Sequence, residues 1–188
     1  MNQELPLAGL KTHLPKPERP IVAVTMATSR QGESVVRNLS LRCDVKVRAI
    51  TRYSESRNAK QLAKLPNVEI VEGNLLDKDS LKKCFDGVVG VFGNTTPTTG
   101  WKPFKGSMSK DYELQQGKNL IDVIKMSAEK GCLKHFVFSS VCKAKNTLKS
   151  SPAPEHFVSK WLIEEYLEEK GLKEVSTILR PVSYMENF

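Results

Sequence analysis

The stretch Ile21 to Gly32, IVAVTMATSRQG, reads as a short buried strand over residues 21–25, a tight turn, and a helix that starts at Gly32. A strand that turns straight into a helix leaves few folds open. The strand needs neighbours in a sheet, and the helix must pack back over that sheet to bury its apolar stripe. The same junction can hold an anion. The first N–H groups of a helix have no partner within the helix, and its dipole favours negative charge there. A pyrophosphate cradle of this kind uses three small residues: one for the turn, one for close backbone approach and one for helix–strand packing. Only the third is glycine here, Gly32; Met26 and Ser29 stand at the first two positions. A residue other than glycine held at positive φ in such a turn is strained by about 1–3 kcal/mol. Taken from binding, that strain weakens a ligand by roughly tenfold or more.

The rest of the chain repeats the alternation. Residues 31–41 carry Val35, Val36 and Leu39 at helical spacing, and residues 45–51 alternate Val45, Val47 and Ala49 with Lys46 and Arg48. Helices are expected over 56–65, closed by Leu65-Pro66, and over 77–85, with Asp77 as N-cap and Gly87 as breaker. Further strands are expected at 68–71, 88–92, 135–139 and 175–179, and further helices at 111–130 and 157–170, each followed by a glycine, Gly131 and Gly171. Two polar segments, 93–109 and 143–154, interrupt the pattern; loops of that length usually serve function. Residues 1–20 hold Pro6, Pro15, Pro17 and Pro20 among few large apolar residues and read as a flexible leader ahead of a domain over 21–188. Six strands alternating with helices imply an α/β fold with a doubly wound parallel sheet of order 3-2-1-4-5-6, whose ligands bind at the carboxyl ends of the strands.

Composition narrows the partners. The net charge is +8, but Lys and Arg are spread over most of the chain, which argues for solubility rather than for direct nucleic-acid binding. The cysteines, at 43, 84, 132 and 142, form no C-x-x-C pair and match no zinc spacing, so no metal is expected; Cys84 and Cys132 fall in apolar settings and are expected in the core. No signal-peptide run or membrane-length apolar stretch is present. The expected location is the cytoplasm, with nuclear access open.

On this layout the candidate dinucleotide contacts begin with the turn: Thr25, Ala27, Thr28, Arg30, Gln31 and Gly32, with Arg30 within reach of a phosphate. About 20 positions beyond the turn, where an acid would take a ribose 2′-hydroxyl, stands Arg52; no acid lies between Arg48 and Ser54, so a 2′-phosphate and hence NADP(H) is favoured. Asn74, after the third strand, can meet an adenine amino group or simply make a turn. Asn94 and Thr95 follow the fourth strand beside Gly93. Lys160 is placed to meet a ribose or the nicotinamide, or to be a surface lysine, and Ser139 and Ser140 end the fifth strand. Short-chain reductases carry Tyr-x-x-x-Lys, in which the lysine lowers the phenol's pKa. The same frame here is His156-Phe-Val-Ser-Lys160, so the phenol is missing and His156 and Lys160 are weak catalytic candidates. Tyr184 is a second phenol near the strand ends.

Taken in order, VTxATxxQGxSVVRxL, VRAITR, VEGNLLDxxSL, GVxGVF, QGKNLIDVIK, KHFVFSSV, HFxSKWxIEEYL and TILRPVxYMENF resemble the NmrA-like proteins, atypical relatives of the short-chain dehydrogenases. The resemblance runs from Ile21 to Phe188. It implies a Rossmann fold, NADP(H) as cofactor, and, in part of the family, a regulatory, redox-sensing role that works through a protein partner without turnover. Other relatives reduce quinones or similar compounds. The family's H-F-x-x-K pattern matches His156 and Lys160. Two departures stand out: Met26 and Ser29 replace family glycines, and the chain ends at Glu186-Asn187-Phe188 where members continue into a smaller substrate- or partner-binding region. Three functions therefore stay open: an NADP(H)-sensing regulatory protein without classical reductase catalysis, an NADPH-dependent oxidoreductase of a small quinone or carbonyl, and a truncated, degenerate member that no longer binds cofactor.

Overall fold

Six apolar runs form six strands: β1 (Ile21–Val24), β2 (Lys46–Thr51), β3 (Val68–Glu72), β4 (Val88–Gly93), β5 (His135–Ser139) and β6 (Ser176–Leu179). Five helices join them: α1 (Arg30–Ser40), α2 (Arg57–Leu62), α3 (Lys78–Cys84), α4 (Lys110–Glu129) and α5 (Glu155–Glu169). The computed structural model describes residues 18–97, 110–142 and 155–181, and side chains from residue 111 and residue 157 onward in the second and third of these stretches. The strands pair in parallel in the order β3-β2-β1-β4-β5-β6, the order expected for a Rossmann fold. Most of the two polar segments, most of the leader, and Tyr184 lie outside the described residues. The leader's last residues are not detached from the domain, because Lys46 N–H donates to the Pro20 carbonyl at 2.9 Å.

Alternation along the central strands sends neighbouring residues to opposite faces. Ala23 and Ile50 join one core with Leu81 of α3, Leu120, Ile121 and Ile124 of α4, Phe136 and Phe138 of β5, and Ile163 and Leu167 of α5. Val24 and Ala49 join a second core with Val36 of α1 and Leu62 of α2. A strand buried on both faces must be apolar throughout, and β1 obeys this: Ala23 and Val24 are both fully buried. The sheet is thus covered by α3, α4 and α5 on one side and by α1 and α2 on the other.

Two local expectations need correction. Helix α1 begins at Arg30, two residues before Gly32, because Ser29 takes an extended conformation and its Oγ accepts the Gly32 N–H at 3.1 Å. Ser29 is therefore a helix cap, where the turn pattern placed it in the loop. Cys132 is exposed, not buried: Gly131 turns the chain at φ +73°, and Leu133 takes the buried place instead. Cys84 is buried as expected.

Candidate functional site

The carboxyl ends of β1, β2 and β3 open onto a cleft. Met26 and Thr28 line it from the turn after β1. Thr51, Arg52 and Tyr53 line it from the end of β2, and Asn74 and Leu75 from the end of β3. Thr96, beyond β4, and Tyr112 and Gln116, on α4, form the opposite wall. This is the switch point of the sheet, where loops on either side of β1 diverge.

The turn itself is tight. Met26 sits at φ +49°, in the left-handed region that disfavours a side chain, as its place in the pattern implies. A Cβ on Gly32 would lie 2.2 Å from the Met26 carbonyl oxygen, so only glycine fits where α1 crosses the turn. Thr25 and Ala27 are fully buried. The Thr25 hydroxyl donates to the Asn94 carbonyl at 3.0 Å and accepts the Asn94 N–H at 2.8 Å, stitching β1 to the exit of β4. Ala27 N–H donates to the Ile50 carbonyl at 3.0 Å. Thr28 faces the cleft with its hydroxyl 3.4 Å from that of Thr51. Arg30 is exposed in the first turn of α1. Gln31 accepts the Ser139 hydroxyl at 2.8 Å, joining α1 to the end of β5.

Arg52 is exposed at the cleft's edge, its guanidinium 5.7 Å from the centre of the Tyr53 ring. The Asn74 Oδ1 accepts the Leu76 N–H at 3.0 Å, the local turn that asparagine favours, while the residue still lines the cleft. The two alternatives for Asn74 are thus compatible.

Lys160 is not a surface lysine. It is buried, and its ammonium donates to Ser139 O at 3.0 Å, to Asn94 Oδ1 at 3.1 Å and to Thr95 O at 3.3 Å. Glu113 Oε1, on the fully buried side chain of Glu113, is 3.4 Å away. Phe138 lies beneath the cation at 5.1 Å. Burial pulls the Lys160 pKa below its ordinary value, against the opposing pull of the Glu113 charge. Glu113 also accepts the Thr95 hydroxyl at 2.8 Å and the Ser159 hydroxyl at 2.5 Å. His156 lies in the first turn of α5, and its side chain falls outside the described residues.

Glu113 and Gln116 were not legible as site residues by motif. Their signal was a conflict: the buried stripe of α4 that continues through Leu120, Ile121 and Ile124 begins with a carboxylate and an amide, and a buried carboxylate needs partners. A second buried acid, Glu164 on α5, accepts the Ser140 hydroxyl at 2.5 Å and two bonds from Arg180, beyond β6. Among the described residues no cluster of His, Cys, Asp and Glu can hold a metal, and no helix is long and apolar enough to cross a membrane.

Comparison with known proteins agrees with this architecture. The sequence profile of the NmrA-like family matches residues 18–188. The NmrA-like family domain-containing oxidoreductase malD of Malbranchea aurantiaca is 36% identical over 173 residues, covering 89% of this chain and 48% of the relative. The crystal structure of NmrA, a negative transcriptional regulator, superposes with a TM-score of 0.73 at 28% identity, covering 91% of this chain and 48% of that one. The structure of NmrA in complex with NADP gives a TM-score of 0.68 at 27% identity, covering 85% and 44%. The chain spans about half the length of the curated relatives it matches. A six-stranded sheet in the order that the motifs imply, a glycine-dependent turn beneath α1 and a profile match that runs from Glu18 to Phe188 converge: the chain belongs to the NmrA-like family.

Proposed function

We propose that this chain binds a nicotinamide dinucleotide, with NADP(H) preferred, and serves as the cofactor-reading part of a regulatory protein rather than as a classical reductase. The observation that carries the reading is the cleft at the ends of β1, β2 and β3 with Arg52 exposed at its edge. A guanidinium there suits a 2′-phosphate, which it can meet with two hydrogen bonds. Asn74 suits the adenine, Thr28 the adenosine ribose, and Arg30 with the first turn of α1 the pyrophosphate. The fit of the turn is partial. Gly32 keeps the close packing of α1 on the turn, but its N–H is already accepted by Ser29, which stands where the close approach to a pyrophosphate calls for glycine. The bound group would supply the hydride chemistry if any occurs; the chain's own residues bind and orient it. NmrA, crystallised with NADP, supports the cofactor class. His156 in the frame of the reductase tyrosine supports a role without turnover.

The experiment is calorimetric titration with NADP⁺, NADPH and NADH, followed by NADPH oxidation assays with a panel of quinones and carbonyls. Micromolar binding with preference for the phosphorylated cofactor and no turnover is the expected result. Robust turnover would replace the reading with an NADPH-dependent oxidoreductase, the second reading, which the naming of malD as an oxidoreductase favours. No binding of any cofactor would leave the degenerate member, whose support is the strained Met26 and the capped Gly32.

A further inference from the structure

The turn that leaves β2 carries Arg52, and it is anchored to β3 at both ends. Thr51, the last residue of β2, lies in register with Glu72, the last residue of β3, and its carbonyl accepts the Gly73 N–H at 2.9 Å. At Ser54 the chain returns to the same strand: the Ser54 N–H and the Ser54 hydroxyl both donate to Glu72 Oε1, at 2.9 and 2.8 Å. Arg52 and Tyr53, between the two anchors, line the cleft, whereas Ser54 and Glu72 lie outside its lining. The bond from the Ser54 N–H, and then the bond from its hydroxyl, hold the Glu72 carboxyl below the usual carboxylate range. Glu72 is thus ionised at neutral pH, and both bonds are charge-assisted. The other acid beside the turn, Glu55, is paired with Lys60 at 2.9 Å. Neither acid neutralises Arg52, which makes no ion pair among the described residues.

We infer that Glu72 is a positioning residue for the cofactor's 2′-phosphate: by clasping Ser54 it fixes the Arg52–Ser54 turn, so that the Arg52 guanidinium stands at the cleft's edge before a ligand arrives. The inference rests on the proposed dinucleotide reading. An arginine on a loose turn must be ordered as the phosphate binds, and that ordering subtracts from affinity. The carboxylate also has an opposite effect, because a like charge near a phosphate repels it. Position and charge can be separated by substitution. Glutamine keeps an acceptor oxygen at the same reach and loses the charge; leucine loses both.

The test compares Glu72→Gln with Glu72→Leu by calorimetric titration with NADP⁺ and NAD⁺, which differ only by the 2′-phosphate. Glu72 is exposed, so neither substitution enters the core, and urea unfolding checks that both variants are folded. Glu72→Leu should bind NADP⁺ about fivefold more weakly than Glu72→Gln does, and NAD⁺ within about twofold. Both variants lack the charge, so the difference between them reports position. Equal affinity of the two variants for NADP⁺ would make the clasp idle and overturn the inference. Equal losses for both cofactors would make Glu72 a general support of the cleft and overturn it too. Backbone ¹⁵N relaxation of the ligand-free protein needs no cofactor. The order parameters of the Arg52, Tyr53 and Ser54 amides should stay near about 0.85 in the unsubstituted protein and in Glu72→Gln, and fall toward about 0.6 in Glu72→Leu. Unchanged order parameters would overturn the positioning role whatever the titrations show. A fall in a protein whose unsubstituted form binds neither cofactor would uphold the clasp on the Arg52 turn and sink only the dinucleotide reading.

Discussion

The Gly32 Cα faces the Met26 carbonyl so closely that a Cβ added there would sit 2.2 Å from the oxygen and 2.9 Å from the carbonyl carbon. Both obstructing atoms are backbone, so no side-chain rotation relieves the clash. Gly32→Ala should destabilise the domain by about 3 kcal/mol, as overpacking against an unyielding neighbour does. Urea unfolding measures it. A loss under about 1 kcal/mol would show that α1 can slide away from the turn.

Met26 and Ser29 should limit affinity by different routes. Met26 holds φ +49° with a side chain that also packs against the larger core. Met26→Gly should relieve strain of about 1 kcal/mol or more in the turn, with partial loss of that packing. Ser29 fills the Gly32 N–H that a pyrophosphate would otherwise meet. Ser29→Gly should therefore raise NADP⁺ affinity while reducing stability by only a few tenths of a kcal/mol, whereas Ser29→Ala should reduce it by about 1 kcal/mol. Paired titrations and unfolding curves separate the effects. A Ser29→Gly variant with unchanged or weaker affinity would show that the cap does not compete with the ligand.

The sheet order and all five helices were legible because their signals are local and agree with one another. Val47 and Ala49 alternate as a strand must, Asp77 caps α3 with its carboxylate accepting from Asp79 and Ser80, and Gly131 and Gly171 close their helices at positive φ. What escaped was set by competing local signals in two places and by a contact distant in sequence in a third. The start of α1 moved by two residues because the Ser29 cap competes with the turn for the same serine. Cys132 looked like core from its neighbours, but a single left-handed glycine reverses which side chain points inward. Lys160 read equally well as a ligand or as surface. Its burial depends on Glu113, 47 positions earlier on another helix, a pairing that no local pattern encodes.

Arg52 should decide between phosphorylated and unphosphorylated cofactors. It is exposed and touches the Tyr53 ring, with no ion pair to a neighbouring acid among the described residues. Arg52→Gln should weaken NADP⁺ by about tenfold, the scale of a charge-assisted contact to phosphate, and leave NAD⁺ within about twofold. The phosphate's second ionisation lies near pH 6, so the preference of the unsubstituted protein for NADP⁺ should shrink as pH falls through that value. Equal losses for both cofactors would mean that Arg52 supports the fold of the cleft and does not read the 2′ position.

The buried pair should also leave a mark on stability at alkaline pH. Burial lowers the Lys160 pKa in the folded state, with Glu113 opposing the shift. An unfolded lysine titrates near 10.5. Between the folded value and 10.5 the unfolded chain binds more protons than the folded one, so stability rises with pH across that window. Below the folded value the cost of burying the charged lysine is present in full. The slope from one such group reaches at most about 1.4 kcal/mol per pH unit. Tyrosines and other lysines titrate in the same range, so the measurement is a difference: urea unfolding of the unsubstituted protein and of the Lys160→Met, Glu113→Leu double variant at intervals from pH 7 to 10.5. The unsubstituted protein should gain on the double variant as pH rises. Lys160→Met alone, which strands a buried carboxylate, should be less stable than the unsubstituted protein by about 3–5 kcal/mol at neutral pH. Parallel curves for the unsubstituted protein and the double variant would mean that Lys160 keeps an ordinary pKa, and that solvent reaches the ammonium despite the four acceptors around it.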